Sequence, residues 1–170
     1  MKKVCLTKLI LLMLLCSNAA TAQTTQTTQT AKTRLNQVEL MKKWIGYWRT
    51  EGTYITSEIR PYGIDGLEGY QKAQVKDSVA QEHRFIYGYN KNIDKYISAS
   101  ISKNNSGLFL VVFWFTSANT CERIPFEDIS DPEKASSIAI YEFKSENQII
   151  ATFMEKNKPD RTYTIVREKK

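Results

Sequence analysis

The sequence predicts an all-β protein in which about 8–10 antiparallel strands form an up-and-down barrel behind one short N-terminal helix. After Gly46 the chain is rich in Tyr, Phe, Ile, Val and Thr, and clusters of turn-forming residues interrupt it at short intervals. Several segments between these clusters alternate apolar and polar side chains, which is typical of strands with one buried face. No second long helical pattern follows, so a parallel sheet with crossover helices is not expected.

Length and composition are those of a small globular protein. The chain has 170 residues, is 42% hydrophobic and 25% charged, and contains 7 glycines and 4 prolines. These values exclude a collagen-like, disulfide-dense or wholly disordered chain, and they leave room for one domain.

The segment 1–22 has the organisation of a secretory signal peptide. Lysines precede an apolar run at 9–16, and the small residues Ala20 and Ala22 form a cleavage site. The apolar run is too short to span a membrane, which takes about 20 residues. We therefore expect an exported protein, periplasmic or secreted, whose mature chain begins at Gln23.

The cysteines suit this interpretation. A lipoprotein signal with Cys16 as the acylated residue is the alternative, but that chemistry favours a small residue where this chain has Leu15. Cys5 and Cys16 would leave with the signal, and Cys121 would remain alone. A lone cysteine forms no internal disulfide, so we expect Cys121 to be buried as a small apolar residue.

Part of the chain's net positive charge comes from the predicted signal peptide. Loss of its three lysines lowers the formal net charge from +6 to +3. No run of five or six like charges remains, and no basic face with interleaved aromatic residues stands out. Nucleic-acid binding is therefore not expected.

A tether and a short helix precede the strands. Residues 23–35 are rich in Gln and Thr and carry too few apolar side chains to fold alone. A helix is expected over about 36–44, with Asn36 as its cap and Glu39 three residues later. One domain then extends over 36–170. The helix has an apolar stripe formed by Leu35, Val38, Met41 and Ile45.

The strands follow directly. We expect them near 46–57, 69–78, 81–89, 94–102, 107–116, 136–144, 148–156 and 161–168, with a ninth near 119–125. The segment 108–115 differs from the others because both of its faces are apolar, so something must cover each face. The helix is the economical candidate, and a homodimer through this strand is the alternative.

The junction between helix and strands resembles the opening of lipocalin-like (calycin) barrels. It reads as a hydrophobic helix running into Gly46-x-Trp48, and a mid-chain Gly-Tyr-Asn turn follows at 88–90. Through this pair of features the chain resembles an uncharacterised family of bacterial secreted lipocalin-like proteins. The resemblance covers about 36–170 and implies that Trp48 plugs the closed end of a barrel.

The same segment is also similar to nitrobindin-type haem barrels. Thr50 stands where those proteins tend to have glycine, and the histidine that binds their haem lies late in the chain. This sequence has no histidine after His83, its only one. Haem is therefore not expected, although His83 would be the one histidine able to serve as its axial ligand.

The sequence contains none of the familiar catalytic motifs considered below. No nucleophile elbow, P-loop or glycine-rich dinucleotide turn is present, and one histidine with one mature cysteine does not make the usual zinc site. We therefore predict no enzyme activity and no metal. The charged ending at 168–170 also differs from the endings of outer-membrane barrels. This difference favours a soluble barrel.

The sequence thus favours a barrel that binds a small, mostly apolar molecule, because small barrels either fill with side chains or hold one such ligand. The alternative is a filled barrel that serves as a structural or interaction module. The candidate lining residues, chosen by strand phase, are Trp48, Tyr70, His83, Phe85, Tyr87, Trp114 and Tyr163.

Overall fold

The structure is a computed structural model that describes residues 34–74, 81–103 and 105–169. The predicted signal peptide (1–22) and most of the predicted tether (23–33) lie outside the described residues.

Ten antiparallel strands form one closed barrel, which confirms the predicted fold class. Each strand pairs with the next along the chain, and the first strand also pairs with the last. Closure leaves no strand edge unpaired within the barrel. The strands are β1 (Gly46–Thr50), β2 (Ile55–Tyr62), β3 (Gly66–Ala73), β4 (Gln81–Asn90), β5 (Lys95–Ser102), β6 (Asn105–Phe115), β7 (Thr120–Pro125), β8 (Ser137–Ser145), β9 (Gln148–Glu155) and β10 (Arg161–Glu168).

The predicted helix is present and begins where expected. Helix α1 (Gln37–Met41) continues into a 3₁₀ turn, Lys42–Trp44. The Asn36 side chain caps it by accepting a hydrogen bond from the Glu39 backbone N–H at 3.1 Å. So short a helix is not stable alone and must dock on the barrel.

Gln37 provides that docking. Its side-chain oxygen accepts from the Phe115 N–H at 2.7 Å, and its side-chain nitrogen donates to the Phe115 carbonyl at 3.0 Å. Both bonds are buried, and together they use the backbone groups at the end of β6. The helix therefore lies across one end of the barrel.

The folded domain begins slightly before the predicted boundary. The Arg34 guanidinium pairs with the Asp94 carboxylate at 2.8 Å, and Leu35 packs against the core. Asp94 also accepts from the Tyr89 hydroxyl at 2.5 Å. Arg34, then Tyr89, hold the pKa of the Asp94 carboxyl below its usual range.

The expected strand 46–57 is in fact two strands. The chain turns at 51–54, where Gly52 adopts a φ of 68° and the Thr53 hydroxyl donates to the Thr50 carbonyl at 2.9 Å. The second of these strands continues beyond the expected end at 57, as far as Tyr62, and Pro61 within it pairs with Leu67.

The strand register divides the side chains between the inside and the outside of the barrel, because directly paired residues share a face. Trp48 faces inward together with its partners, Arg167 on β10 and Ser57 on β2. We call the end that carries α1 and the start of β1 the closed end. The opposite end, which carries the turn at 51–54, is the open end.

The outer face of β6 is only partly covered. Val112 is fully buried, and the 3₁₀ turn Phe126–Asp128 packs against this strand. The helix, the economical candidate for covering this strand, docks on the strand's end through Gln37 and Phe115. Four outward side chains stay exposed and form what we call the outer apolar patch: Ile86, Ile101, Leu108 and Leu110.

Candidate ligand site in the barrel

The closed end is sealed by tryptophan. Trp48 is 3% exposed, and its indole N–H donates to the Trp44 carbonyl at 2.7 Å. The Arg167 guanidinium lies 4.2 Å from the centre of the Trp48 ring, a cation–π contact. This arrangement confirms that Trp48 plugs the barrel.

Arg167 completes the seal through backbone groups. It donates to the carbonyls of Ile45, Lys43 (3.0 Å) and Glu146 (2.8 Å). Gly46, at a φ of 139°, leaves room for it, because a Cβ there would collide with the guanidinium. The glycine of the Gly-x-Trp pattern is therefore needed for both its backbone angle and its missing side chain.

Aromatic rings fill the space above this seal. Trp44 meets Tyr141 and Phe143 edge to face, with ring centres 4.9 and 5.2 Å apart. The series continues from Tyr141 to Phe153 at 6.0 Å and from Phe153 to Tyr163 at 5.7 Å. Edge-to-face packing of this kind adds to the stabilisation from burial.

Cys121 lies within this core. It is fully buried, as expected for a lone cysteine, and its neighbours on the adjacent strands are Phe115 and Tyr141. Burial raises the pKa of its thiol. A thiol in such a place stays protonated and unreactive.

The half of the barrel toward the open end is packed differently. Most of its inward-facing side chains are half-buried rather than buried, although Ser102 near the mouth is buried. The half-buried ones include Ser57, Gln71, His83, Phe85 and Ser100. An inward side chain reaches solvent only if the interior above it is open. The open end is therefore a cup with a filled base.

A cleft of about 300 Å³ extends along one wall of this cup. Binding sites for small molecules start at about this volume. The lining includes inward-facing residues of three strands, among them Arg123, Ser137 and Phe153, together with residues at the rim. Ile138 and Met154, which face outward on β8 and β9, also line the cleft, so it crosses the edge of the wall.

Arg123 is the polar group of this wall that sequence reasoning missed. It lies on β7 between Phe113 and Ala139 of the neighbouring strands, and its guanidinium carbon is 5.5 Å from the centre of the Phe153 ring. Among the described residues, no carboxylate forms an ion pair with it.

Two tyrosine hydroxyls accompany Arg123. Burial raises the pKa of the Tyr87 and Tyr141 phenols, and the positive charge of Arg123 lowers each pKa in part. Neither hydroxyl forms a hydrogen bond within the described part of the chain. A cation and two unused O–H donors therefore share one region of the interior.

Five of the predicted lining residues do face inward. Trp48 belongs to the seal of the closed end, whereas His83, Phe85, Tyr87 and Tyr163 line the cup or its base. His83 lies near the mouth between Gln71 and Ser102. Whether any of them contacts a ligand stays a prediction.

Tyr70 and Trp114 lie on the outer wall, so their assignment to the lining is a phase error. Tyr70 neighbours Arg84 on β4, and Lys95 covers the Trp114 ring at 3.6 Å. In β3 the inward positions include Gly69, whose missing side chain leaves room for the Phe85 ring. Both faces of β6 are apolar, so the alternation of apolar and polar residues does not show which of its side chains face inward.

Arg123 was missed because inward charge breaks the alternation that identifies strand faces. Cys121 and Arg123 share the inner face of β7, while Glu122 and Ile124 face outward. The register against β8 reveals the phase, since Arg123 pairs with buried Ala139. That pairing is a long-range fact that local patterns do not contain.

A larger groove, of about 760 Å³, lies at the closed end and is less suited to a ligand. Its cations are already used by the protein. Lys42 pairs with Glu39 at 2.6 Å, Lys144 pairs with Glu142 at 3.2 Å, and Lys43 donates to the Asn119 side chain at 2.9 Å. Within the described residues, no group of three or more His, Cys, Asp or Glu side chains is placed to hold a metal.

Comparison with known proteins adds no identity. No protein-family model matches the chain, and no curated protein resembles it in sequence. In the part of the chain that the structure describes, no helix combines the length and the apolar character needed to cross a membrane. The site itself is therefore the basis for any functional conclusion.

Proposed function

We propose that this chain is an exported lipocalin-like protein that binds a small, mostly apolar ligand in the cup at the open end of its barrel. The observation that carries the proposal is the contrast in burial. Inward-facing side chains are sealed at the closed end, whereas most of those at the open end reach solvent. Barrels of this size class hold one small ligand when their interior is not filled.

The chemistry of the cup supports an apolar ligand. Phe85, Phe153 and Tyr163 present aromatic surface to the interior, and serines on β5 leave space opposite Phe85. Ligand pockets typically combine such surface with a few polar groups. The cleft of about 300 Å³ suits a small molecule.

The uncharged fluorescent probe N-phenyl-1-naphthylamine tests the cup. Ser100 faces inward and half-buried on β5, so Ser100→Phe should fill the cup and weaken probe binding about tenfold or more. Thr162 faces outward on β10, away from the outer apolar patch, so Thr162→Phe is the control and should leave binding unchanged. Equal affinity of all three proteins, or a loss only in the control, would contradict binding in the cup.

A second function, a module for self-association, is favoured by the outer apolar patch. Leu108 is 60% exposed, Ile101 59% and Ile86 53%, all on one face of adjacent strands. Adjacent apolar side chains left in solvent often mark an interaction surface. We propose a homodimer through the strand at 108–115 as this alternative.

Analytical ultracentrifugation separates the two functions. If the patch is a dimer interface, the wild-type protein sediments as a dimer and Leu108→Glu as a monomer. Thr162→Glu, on the outer wall of β10, is the control and should leave the assembly state unchanged. A wild-type monomer at high concentration contradicts the dimer and leaves the ligand proposal standing.

Export is part of the proposal. Cell fractionation and N-terminal sequencing of the mature protein should find it outside the cytoplasm with Gln23 as its first residue. A mature mass that includes acyl chains on Cys16 would establish lipid anchoring instead. Recovery of the full chain in the cytoplasm would contradict export.

A further inference from the structure

The charged side chains that face the barrel interior differ in whether the protein supplies their partners. At the rim, the Glu155 carboxylate pairs with both Lys158 and Arg161. At the closed end, Arg167 donates to backbone carbonyls. Among the inward-facing arginines that the structure describes, only Arg123 has no hydrogen-bond acceptor and no anion.

An unpaired cation in such a place is unfavourable for folding alone. Arg123 is half-buried, and aromatic rings surround its position. Removing part of its hydration costs free energy that the contact with the Phe153 ring offsets only in part. An arginine held only for packing would be expected to find carbonyl acceptors, as Arg167 does.

The two nearby phenols, of Tyr87 and Tyr141, likewise have no hydrogen-bond partner among the described residues. Phe113 is the neighbour of Arg123 in the strand register, and its ring centre is 5.3 Å from that of Tyr87 and 6.3 Å from that of Tyr141. Arg123 and the rings of Tyr87 and Tyr141 are therefore all neighbours of one ring, that of Phe113. Both phenols are protonated at neutral pH, since a phenol ordinarily ionises near pH 10 and burial raises the pKa of each further.

We propose that Arg123, Tyr87 and Tyr141 bind the carboxylate of an amphipathic ligand whose apolar part lies against the aromatic wall of the cup. This inference rests on the proposed function and specifies its ligand class. A guanidinium presents a planar pair of N–H donors that matches a carboxylate, and the phenols add O–H donors. One cation with neutral donors balances one negative charge, so a monoanion fits best.

Isothermal titration calorimetry with octanoate and octan-1-ol tests the proposal, since these probes share a chain length and differ in the head group. The wild-type protein should bind octanoate roughly 10- to 100-fold more tightly than octan-1-ol, the range expected for hydrogen bonds to a charged group. Arg123→Met should abolish this preference and leave the affinity for octan-1-ol within about twofold.

Matched variants identify the groups involved. Tyr87→Phe and Tyr141→Phe each remove one hydroxyl and should reduce the preference for octanoate by roughly fivefold. Arg161→Met removes another inward-facing arginine, one that already pairs with Glu155, and should leave the preference unchanged. If Arg123→Met fails to fold, the two phenylalanine variants decide.

The outcomes separate the inference from the function on which it rests. Equal binding of octanoate and octan-1-ol by the wild-type protein overturns the carboxylate site and leaves a cup for neutral ligands. Retained preference in Arg123→Met, or in both phenylalanine variants, overturns the assignment of these residues. Failure of both probes to bind overturns the proposed function as well.

Discussion

Two of the arginines that face the interior of this barrel, Arg167 and Arg123, differ in the partners that the protein supplies for them. Arg167, at the closed end, donates to three backbone carbonyls and lies over the Trp48 ring. Arg123, in the wall of the cup, contacts the Phe153 ring and has no carboxylate partner among the described residues. Arg167 therefore stabilises the fold, whereas Arg123 is the residue that we propose binds a ligand carboxylate.

The same contrast extends to the ends of the barrel themselves. At the closed end, Trp48 is buried and its N–H has an acceptor, although the neighbouring Trp44 N–H is buried with no partner among the described residues. At the base of the cup, the hydroxyls of Tyr87 and Tyr141 have no hydrogen-bond partner in the described part of the chain. Local rules of folding are most often broken where a protein has a function. The following variants test this division.

Loss of the Trp48 side chain should have the largest effect. Trp48→Ala removes the ring that seals the closed end, and the unfolding free energy should fall by about 3–5 kcal/mol. Urea denaturation measures it. Trp114→Ala on the outer wall, where the ring is only half-buried under Lys95, should cost clearly less. Equal losses would mean that the closed end is no more important than the outer surface.

The two arginines should differ when each becomes methionine. Arg167→Met leaves three carbonyls without their donor and should lower the unfolding free energy by about 2–3 kcal/mol. Arg123→Met removes a cation that lacks a partner and should change it by less than about 1 kcal/mol, in either direction. Urea denaturation of both variants without ligand checks this. A loss in Arg123→Met as large as in Arg167→Met would show that Arg123 is structural.

The wall of the cup should be sensitive to a single methyl group. Gly69 faces inward on β3, and the Phe85 ring occupies the place where its Cβ would lie. Gly69→Ala should therefore displace the ring and cost about 1–3 kcal/mol in thermal or urea unfolding. Gly88→Ala is the control, because nothing lies within 4 Å of a Cβ there. Similar stability of both variants would show that the ring moves without cost.

The closed end could be predicted from sequence to a much greater extent than the cup. The cap at Asn36 and the Gly46-x-Trp48 pattern are local signals, and the structure confirms both the helix start and the buried tryptophan. Most strands were also recognisable, because turn residues separate them. The strand division near Gly52 was missed, since one glycine between β-rich segments is a weak turn signal.

The cup depended on information that local patterns lack. The phase of β6 was undetermined because both faces are apolar, and Trp114 was therefore assigned to the wrong side. Tyr70 was assigned inward by strand phase, but the inward position is Gly69, which makes room for a ring from β4. Arg123 became visible only through its pairing with Ala139. Each error concerns a long-range pairing.

Alkaline pH should produce the smallest effect and should act on both regions. Burial, then nearby acidic groups, raises the pKa of Tyr96 to about 12, and its hydroxyl donates to the Asp65 carbonyl at 2.6 Å. Burial likewise raises the pKa of Tyr87 and Tyr141. The unfolded chain ionises its tyrosines near pH 10, so it loses protons before the folded protein does. The stability from these phenols is therefore fully present below about pH 10 and declines as pH rises through the folded values.

Urea denaturation at a series of alkaline pH values measures that decline, and tyrosinate absorbance reports the ionisation. Tyr141→Phe removes one buried phenol that has no acceptor, so its stability should fall less steeply with pH than that of the wild-type protein. Tyr54→Phe alters a tyrosine that is 70% exposed and should leave the slope unchanged. A ligand carboxylate at Arg123 would give Tyr141 an acceptor near its hydroxyl, so octanoate should raise the pKa of this phenol further and move its ionisation, followed as tyrosinate absorbance, to higher pH in the wild-type protein. If octanoate leaves that ionisation unchanged while still binding, the carboxylate lies away from Tyr141 and the division between the two arginines loses its functional meaning.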